Sequence, residues 1–227
     1  MAKIPVFNLP RPADPPLLRY TFLEEMMFDV FGSEPFDMLE IGVDTGDFAR
    51  VLYQSDRVHP ARFVGIDPYF QRDEQYERVK HDYASWGYDL VRARSVEYWQ
   101  DCDDRFDCIY VDALHDYMSS FEDMAIWFFR LPPGGVMIVD DYGIVVWPEK
   151  TKAVNDFLEI ARPLIGAYGY RSHEICTPEQ QPWFVPITKT NVILQVGPEQ
   201  EPQIKQKVLD DIKAVLATGK RPHIHPS

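Results

Sequence analysis

The chain is 227 residues long, 45% hydrophobic and 14% aromatic, which is enough apolar surface to bury a substantial core within a single α/β domain. Its formal net charge of −13, from 36 acids against 23 lysines and arginines with no basic patch among them, argues against nucleic acid as a partner. No run of about 18 apolar residues is long enough for a membrane span and the N-terminus lacks a signal-peptide core, so a cytoplasmic protein with no membrane partner is expected.

The lead "MAKIPVFNLPRPADPP" (residues 1–16) is proline-rich and reads as an extended segment, running over the surface or packing on a neighbouring subunit of a homo-oligomer. Residues 17–227 read as one domain. Over 17–31, Leu18, Phe22, Met26 and Val30 stand at helical spacing, and the pattern stops at Gly32. A strand is predicted over 36–41, then a helix marked by Phe48, Val51 and Leu52. Residues 62–66 form a second strand ending at Asp67-Pro68, and a charged helix follows. A third strand over 90–93, a short helix over 96–100 and a fourth strand over 106–111 continue the alternation. An apolar-rich helix over 119–129, the turn "LPPGG", a fifth strand over 136–139 and a helix over 149–160 complete it.

Five short apolar strands separated by helices predict a mostly parallel sheet covered on both faces. Two late strands, 168–175 and 191–196, predict an antiparallel pair at one edge before a closing helix over 203–216. The three cysteines, Cys102, Cys108 and Cys176, have no CxxC spacing and read as small core residues rather than a disulfide framework.

In a sheet of this kind ligands sit beyond the carboxyl ends of the strands. After the first strand stands "LEIGVDTGDF", with Glu40, Gly42, Asp44, Thr45 and Gly46 leading into a helix. Glycines let the backbone turn and approach a ligand, and the helix N-terminus offers free amides. The stretch is not GxGxxG, which disfavours a nicotinamide oxidoreductase. Glu40 suits a positive or hydrogen-donating group, and Asp67 after the second strand suits a pair of ribose hydroxyls; a nucleoside with a cationic tail satisfies both. The alternative is a plain strand-turn-helix whose acids cap the helix.

The segments "MLEIGVDTGDFARVL", "FVGIDPY", "FDCIYVDALHDY" and "LPPGGVMIVDDY", in this order and spacing, resemble the class I S-adenosylmethionine-dependent methyltransferases over residues 36–157. Within these, the chain is most similar to metal-dependent small-molecule O-methyltransferases, the macrocin O-methyltransferase-like group and its catechol and caffeoyl-CoA relatives. The resemblance implies a Rossmann-like, doubly wound, seven-stranded α/β sheet with an antiparallel last strand. It implies S-adenosyl-L-methionine as cofactor and a hydroxyl of a phenol, sugar or glycosylated natural product as acceptor. It also implies that Glu40, Gly42 and Gly46, with Asp44 and Thr45 in the same turn, flank the methionine part, that Asp67 binds the ribose, and that Ser95 lies near the adenine, with Asp112 bordering the same pocket.

"IVDDY" puts two acids, Asp140 and Asp141, at the end of the fifth strand, next to Asp112 at the end of the fourth. Three carboxylates converging in a partly desolvated crevice need a counter-charge, and Mg²⁺ takes a few carboxylates while keeping positions for water and substrate oxygens. The resemblance implies Asp112, Asp140 and Asp141 as its ligands. The alternatives are a metal-independent methyltransferase, with Asp140 a cap and Asp141 solvated, or a non-catalytic nucleoside-binding protein. His115 stands three residues after Asp112, where catechol and caffeoyl-CoA relatives carry a lysine assigned as base. Macrocin-like relatives often have an acid two residues after, and here that place is Leu114. Histidine takes a proton near neutral pH, so His115 is the candidate base, against a structural or orienting role. Tyr142, Trp147, Trp183 and Phe184 are expected to roof the site and favour a substrate with a ring or apolar face.

Overall fold

The structure, a computed structural model, describes residues 21–174 and 188–219. The proline-rich lead, the start of the first predicted helix, Cys176, and the loop carrying Trp183 and Phe184 lie outside the described residues.

Helix α1 (Thr21–Phe31) ends at Gly32, whose left-handed backbone (φ 61) turns its N–H onto the Phe28 carbonyl at 2.8 Å. The chain then alternates through β1 (Phe36–Ile41), α2 (Asp47–Gln54), β2 (Pro60–Ile66), α3 (Asp73–Trp86), β3 (Asp89–Val91), α4 (Ser95–Asp101) and β4 (Cys108–Val111). It continues through α5 (Tyr117–Phe128), β5 (Val136–Tyr142), α6 (Pro148–Ala161), β6 (Ile165–Glu174), β7 (Thr188–Val196) and α7 (Pro202–Thr218).

These strands make one seven-stranded sheet in the order β3-β2-β1-β4-β5-β7-β6. The pairs from β3 to β5 are parallel, while β7 runs antiparallel to both β5 and β6. The late hairpin therefore inserts its second strand against β5. The turn before β5 is tied to that strand by the Gly134 N–H, bonded to the Val196 carbonyl at 3.0 Å. Strand order reverses between β1 and β4, which opens a crevice above their carboxyl ends.

Side-chain alternation divides the core into two layers. Leu39, Ile41, Ile109, Val111, Met137 and Val139 face α5, α6 and α7. Met38, Cys108, Tyr110, Val136, Ile138 and Ile193 face α1, α2 and α3. With both faces covered, the central strands are apolar along their length, which is why they are visible in the sequence as continuous runs. Strand β5 departs from the predicted end at Val139. It runs on through both acids to Tyr142, with an irregularity in its pairing to β7 between Val139 and Tyr142.

Candidate active site at the carboxyl ends of the strands

A cavity of about 300 Å³ lies over the carboxyl ends of β1, β2 and β4, bordered by Gly42, Asp44, Asp67, Ser95 and Asp112. Gly42 has φ 91, and a Cβ there would sit 2.2 Å from the Asp112 carbonyl oxygen. Only glycine lets the loops after β1 and β4 meet so closely. The Gly42 N–H bonds to the Ile66 carbonyl and the Asp112 N–H to the Ile41 carbonyl, both at 2.9 Å, so the three loops are laced together.

Asp67 is almost fully buried, and both carboxylate oxygens are held. Oδ2 accepts from the Asp44 N–H at 3.0 Å; Oδ1 accepts from the Tyr69 N–H at 2.7 Å and from Arg72 Nη2 at 3.1 Å. Arg72 also donates to Asp44 Oδ1 at 2.7 Å. The Tyr69 hydroxyl donates to the Asp44 carbonyl at 2.9 Å, and burial together with the Asp67 charge pushes its phenol well above the ordinary range. Ser95, the first residue of α4, accepts the Trp127 indole N–H at 2.7 Å.

Three of the predicted cofactor residues stand back from this cavity. Glu40 shares the sheet face of Met38 and Tyr110, is buried, and accepts the Tyr83 hydroxyl at 2.8 Å. Gly46 packs against Val79 and Tyr83, and Thr45 donates to Asp47 at 2.8 Å.

Beside the cavity, Asp112, His115 and Asp141 each direct one ligand atom into a common space, all within 4.8 Å of one another. His115 Nε2 lies 2.9 Å from Asp141 Oδ2. Its ring stacks on Trp147 with centroids 3.8 Å apart and planes 8° from parallel. Two carboxylates and an imidazole fit a divalent cation; the nitrogen donor extends the choice from Mg²⁺ to metals such as Mn²⁺ or Zn²⁺.

Asp140 occupies a different place from its neighbour. It keeps the face of Val136 and Ile138, where Oδ2 accepts the Tyr110 hydroxyl at 2.8 Å and Oδ1 accepts from Asn191 Nδ2 at 3.0 Å and from the Asp141 N–H at 2.8 Å. The Tyr110 hydroxyl is also 3.4 Å from Asp112 Oδ2. Asp141, by contrast, has a left-handed backbone with φ 60, which breaks the alternation and turns its carboxylate toward His115. Tyr110 and Asn191 were not legible as site residues. Their one signal is a polar group at a core-facing position of an apolar strand.

Residues 39–142 match a family model described as a methyltransferase domain. A comparison with curated proteins returns no match. Among solved structures, the chain is similar to the O-methyltransferase from Bacillus cereus in complex with S-adenosylhomocysteine, at 14% identity and a TM-score of 0.56, over 83% of this chain and 84% of that one. It is similar to the O-methyltransferase TomG from Streptomyces achromogenes, involved in tomaymycin synthesis and solved with S-adenosylmethionine, at 17% identity and a TM-score of 0.54, over 79% and 80%. An rRNA methylase from Streptococcus thermophilus shares the fold at 12% identity and a TM-score of 0.54, over 79% of this chain and 98% of that one. The strand order and the glycine turn over the cavity agree with these matches: residues 39–142 resemble a methyltransferase domain, and the chain has the fold of these methyltransferase structures.

Proposed function

We propose that the chain methylates a hydroxyl of a small molecule, with S-adenosylmethionine in the cavity between Gly42, Asp67 and Ser95 and a divalent cation at Asp112 and Asp141. The observation that carries this reading is the convergence of Asp112, His115 and Asp141 within 4.8 Å, immediately beside that cavity. A bound cation would acidify and orient the acceptor hydroxyl, and the cofactor would supply the methyl group as an electrophile.

The chain's own residues have separable tasks in this reading. Asp67, pre-set by two backbone amides, offers its carboxylate to the ribose diol, with Arg72 the partner that yields. His115, in the tautomer that donates from Nε2 to Asp141, keeps Nδ1 as the acceptor for the substrate proton, and Asp141 stabilises the imidazolium that results. Trp147 fixes the ring plane by stacking. Asp140 anchors Tyr110 and Asn191 behind Asp112. A second reading makes His115 a third metal ligand, which its distance to both acids supports.

Several features favour a small acceptor with an apolar face over RNA. The net charge is −13. Leu114, Val145 and Val146, which flank His115 and Trp147 in the chain, are exposed. The test is methyl transfer from labelled S-adenosylmethionine to a panel of phenols and sugars, before and after chelation and with Mg²⁺ or Mn²⁺ restored. Activity that ignores the chelator removes the metal from the mechanism, and methylation of RNA alone overturns the acceptor class.

A further inference from the structure

The two edges of the sheet differ in kind. At one, β3 is three residues long and opens on the exposed Asp89; a short strand and a charge are two of the ways in which proteins keep an edge from pairing. At the other, β6 is ten residues long, and among the described residues no strand pairs with its outer side. Its one irregularity, between Ile165 and Ala167, falls at the start and leaves regular pairing to β7 from Ala167 onward. Residues 165–170, "IGAYGY", contain no lysine, no proline and no charge, in a chain whose net charge is −13. The outward N–H and C=O groups of such a strand are a template for another strand.

The side chains of β6 are also prepared for contact. Tyr168 and Tyr170 are two residues apart and so share a face, opposite Leu194 and Val192 of β7. They stay 43% and 39% exposed, yet both are held in place. The Arg162 guanidinium lies 5.0 Å over the Tyr168 ring, the Tyr142 and Tyr170 centroids are 5.2 Å apart, and the rings of Tyr168 and Tyr170 meet edge to face at 6.1 Å. Ordered, half-exposed tyrosines are the side chains that protein interfaces favour, because little rotamer freedom is left to lose. Between them Gly169 faces open space, where a Cβ would meet nothing within 4 Å.

We propose that β6 is a homodimer interface, pairing antiparallel with β6 of a second copy of the chain about a twofold axis at Gly169 and joining the two sheets into one. Symmetry and charge argue for that occupant. Antiparallel pairing centred on Gly169 sets Tyr168 of each copy opposite Tyr170 of the other, which makes two cross-strand aromatic pairs on one face. Two copies of an acidic chain repel each other over most of their surface but not along this neutral strand, whereas a basic partner would be drawn to the acidic faces instead.

The experiment is analytical ultracentrifugation of the full chain over the micromolar range, with two variants at Gly169, where a new side chain enters open space. The wild type is expected to dimerise reversibly. Gly169→Lys sets like charges opposite each other at the axis and is expected to raise the dimer Kd by about 10-fold or more. Gly169→Cys sets two thiols opposite each other, and oxidation with diamide is expected to give a disulfide-linked dimer that the wild type, treated alike, does not form. A wild type that stays monomeric throughout overturns the proposal, including the case in which residues 1–16 of the same chain occupy the edge. An unchanged Kd in a folded Gly169→Lys, or no cross-link in Gly169→Cys, overturns it as well. If Gly169→Lys fails to fold, the cross-link alone decides.

Discussion

His115 Nε2 and Asp141 Oδ2 meet at 2.9 Å and so join the loop after β4 to the end of β5. The contact depends on a backbone feature, the φ of 60 at Asp141, which lifts this side chain off the face that strand alternation would give it. Asp140, one residue earlier, stays in regular geometry and serves Tyr110 and Asn191. Two chemically identical neighbours thus have different tasks, divided by a single dihedral.

Replacing Asp141 tests the cation site. Asn removes a charge but almost no volume, and it tolerates the left-handed backbone, so Asp141→Asn is expected to fold. Calorimetric affinity for Mg²⁺ or Mn²⁺ and metal-dependent turnover are expected to fall together, by about 10-fold or more. Superimposable metal titrations in wild type and mutant would sink the assignment. Because an Asn carbonyl can itself ligate, Asp141→Ala is the stricter variant, at the cost of some backbone strain.

His115→Ala separates chemistry from binding. Removing a positioned base is expected to lower kcat by about 10²- to 10⁴-fold while the Kd for S-adenosylhomocysteine stays within about 2-fold. Retained turnover with lost cofactor affinity would show that His115 is no base. Loss of metal affinity in the same variant would favour the ligand role.

Gly42→Ala puts a methyl group 2.2 Å from the Asp112 carbonyl oxygen at a φ of 91. The β1 and β4 loops cannot move apart without breaking the bonds that lace them, so a loss of about 3 kcal/mol or more is expected in thermal or urea unfolding. Gly143→Ala is the control. It also has a positive φ of 77 but nothing within 4 Å, and is expected to cost about 1–2 kcal/mol. Equal losses in the two variants would mean that backbone strain, not the close approach, governs Gly42.

Asp123 makes a pH-dependent prediction about stability. Burial pushes its carboxyl up to about 6 from an ordinary value of 3.8, against the Ser95 hydrogen bond and the Lys150 charge. A raised folded-state pKa means that the folded protein holds the proton more tightly, so this group's contribution is most favourable below 3.8 and is lost as pH rises through about 6. In the absence of cofactor, Asp123→Asn is therefore expected to be more stable than wild type at pH 7, by at most about 3 kcal/mol. The difference should shrink as the pH falls toward 4. Denaturation curves at pH 4, 5.5 and 7 check it, and a mutant less stable than wild type at pH 7 would contradict the buried-charge account.

Much of the architecture is legible in the sequence because local physics determines it. Strands covered on both faces must be apolar throughout, as in "FVGI", "CIYV" and "VMIV", and the turn residues between them are dictated by φ, as at Gly32 and Gly42. The acids after those runs, Asp67 and Asp112, border the cavity because a strand's end is where its next side chain leaves the sheet.

What the linear pattern does not carry is direction and company. "DD" at 140–141 reads as a pair of equals, and only the pairing of β5 with β7, interrupted after Val139, separates an anchor from a candidate ligand. Glu40 reads as a cofactor residue from its place beside Gly42. Alternation along β1 puts it on the face of Met38 and Tyr110, where it accepts the Tyr83 hydroxyl. Asp123 goes unremarked in an apolar-rich helix, because nothing local says that α5 will lay that face against Ser95 at the end of the cavity. Residue types and element order are local properties of the chain, whereas which side chains share a space depends on contacts between residues as far apart as Asp140 and Asn191, which exist only once the sheet has assembled.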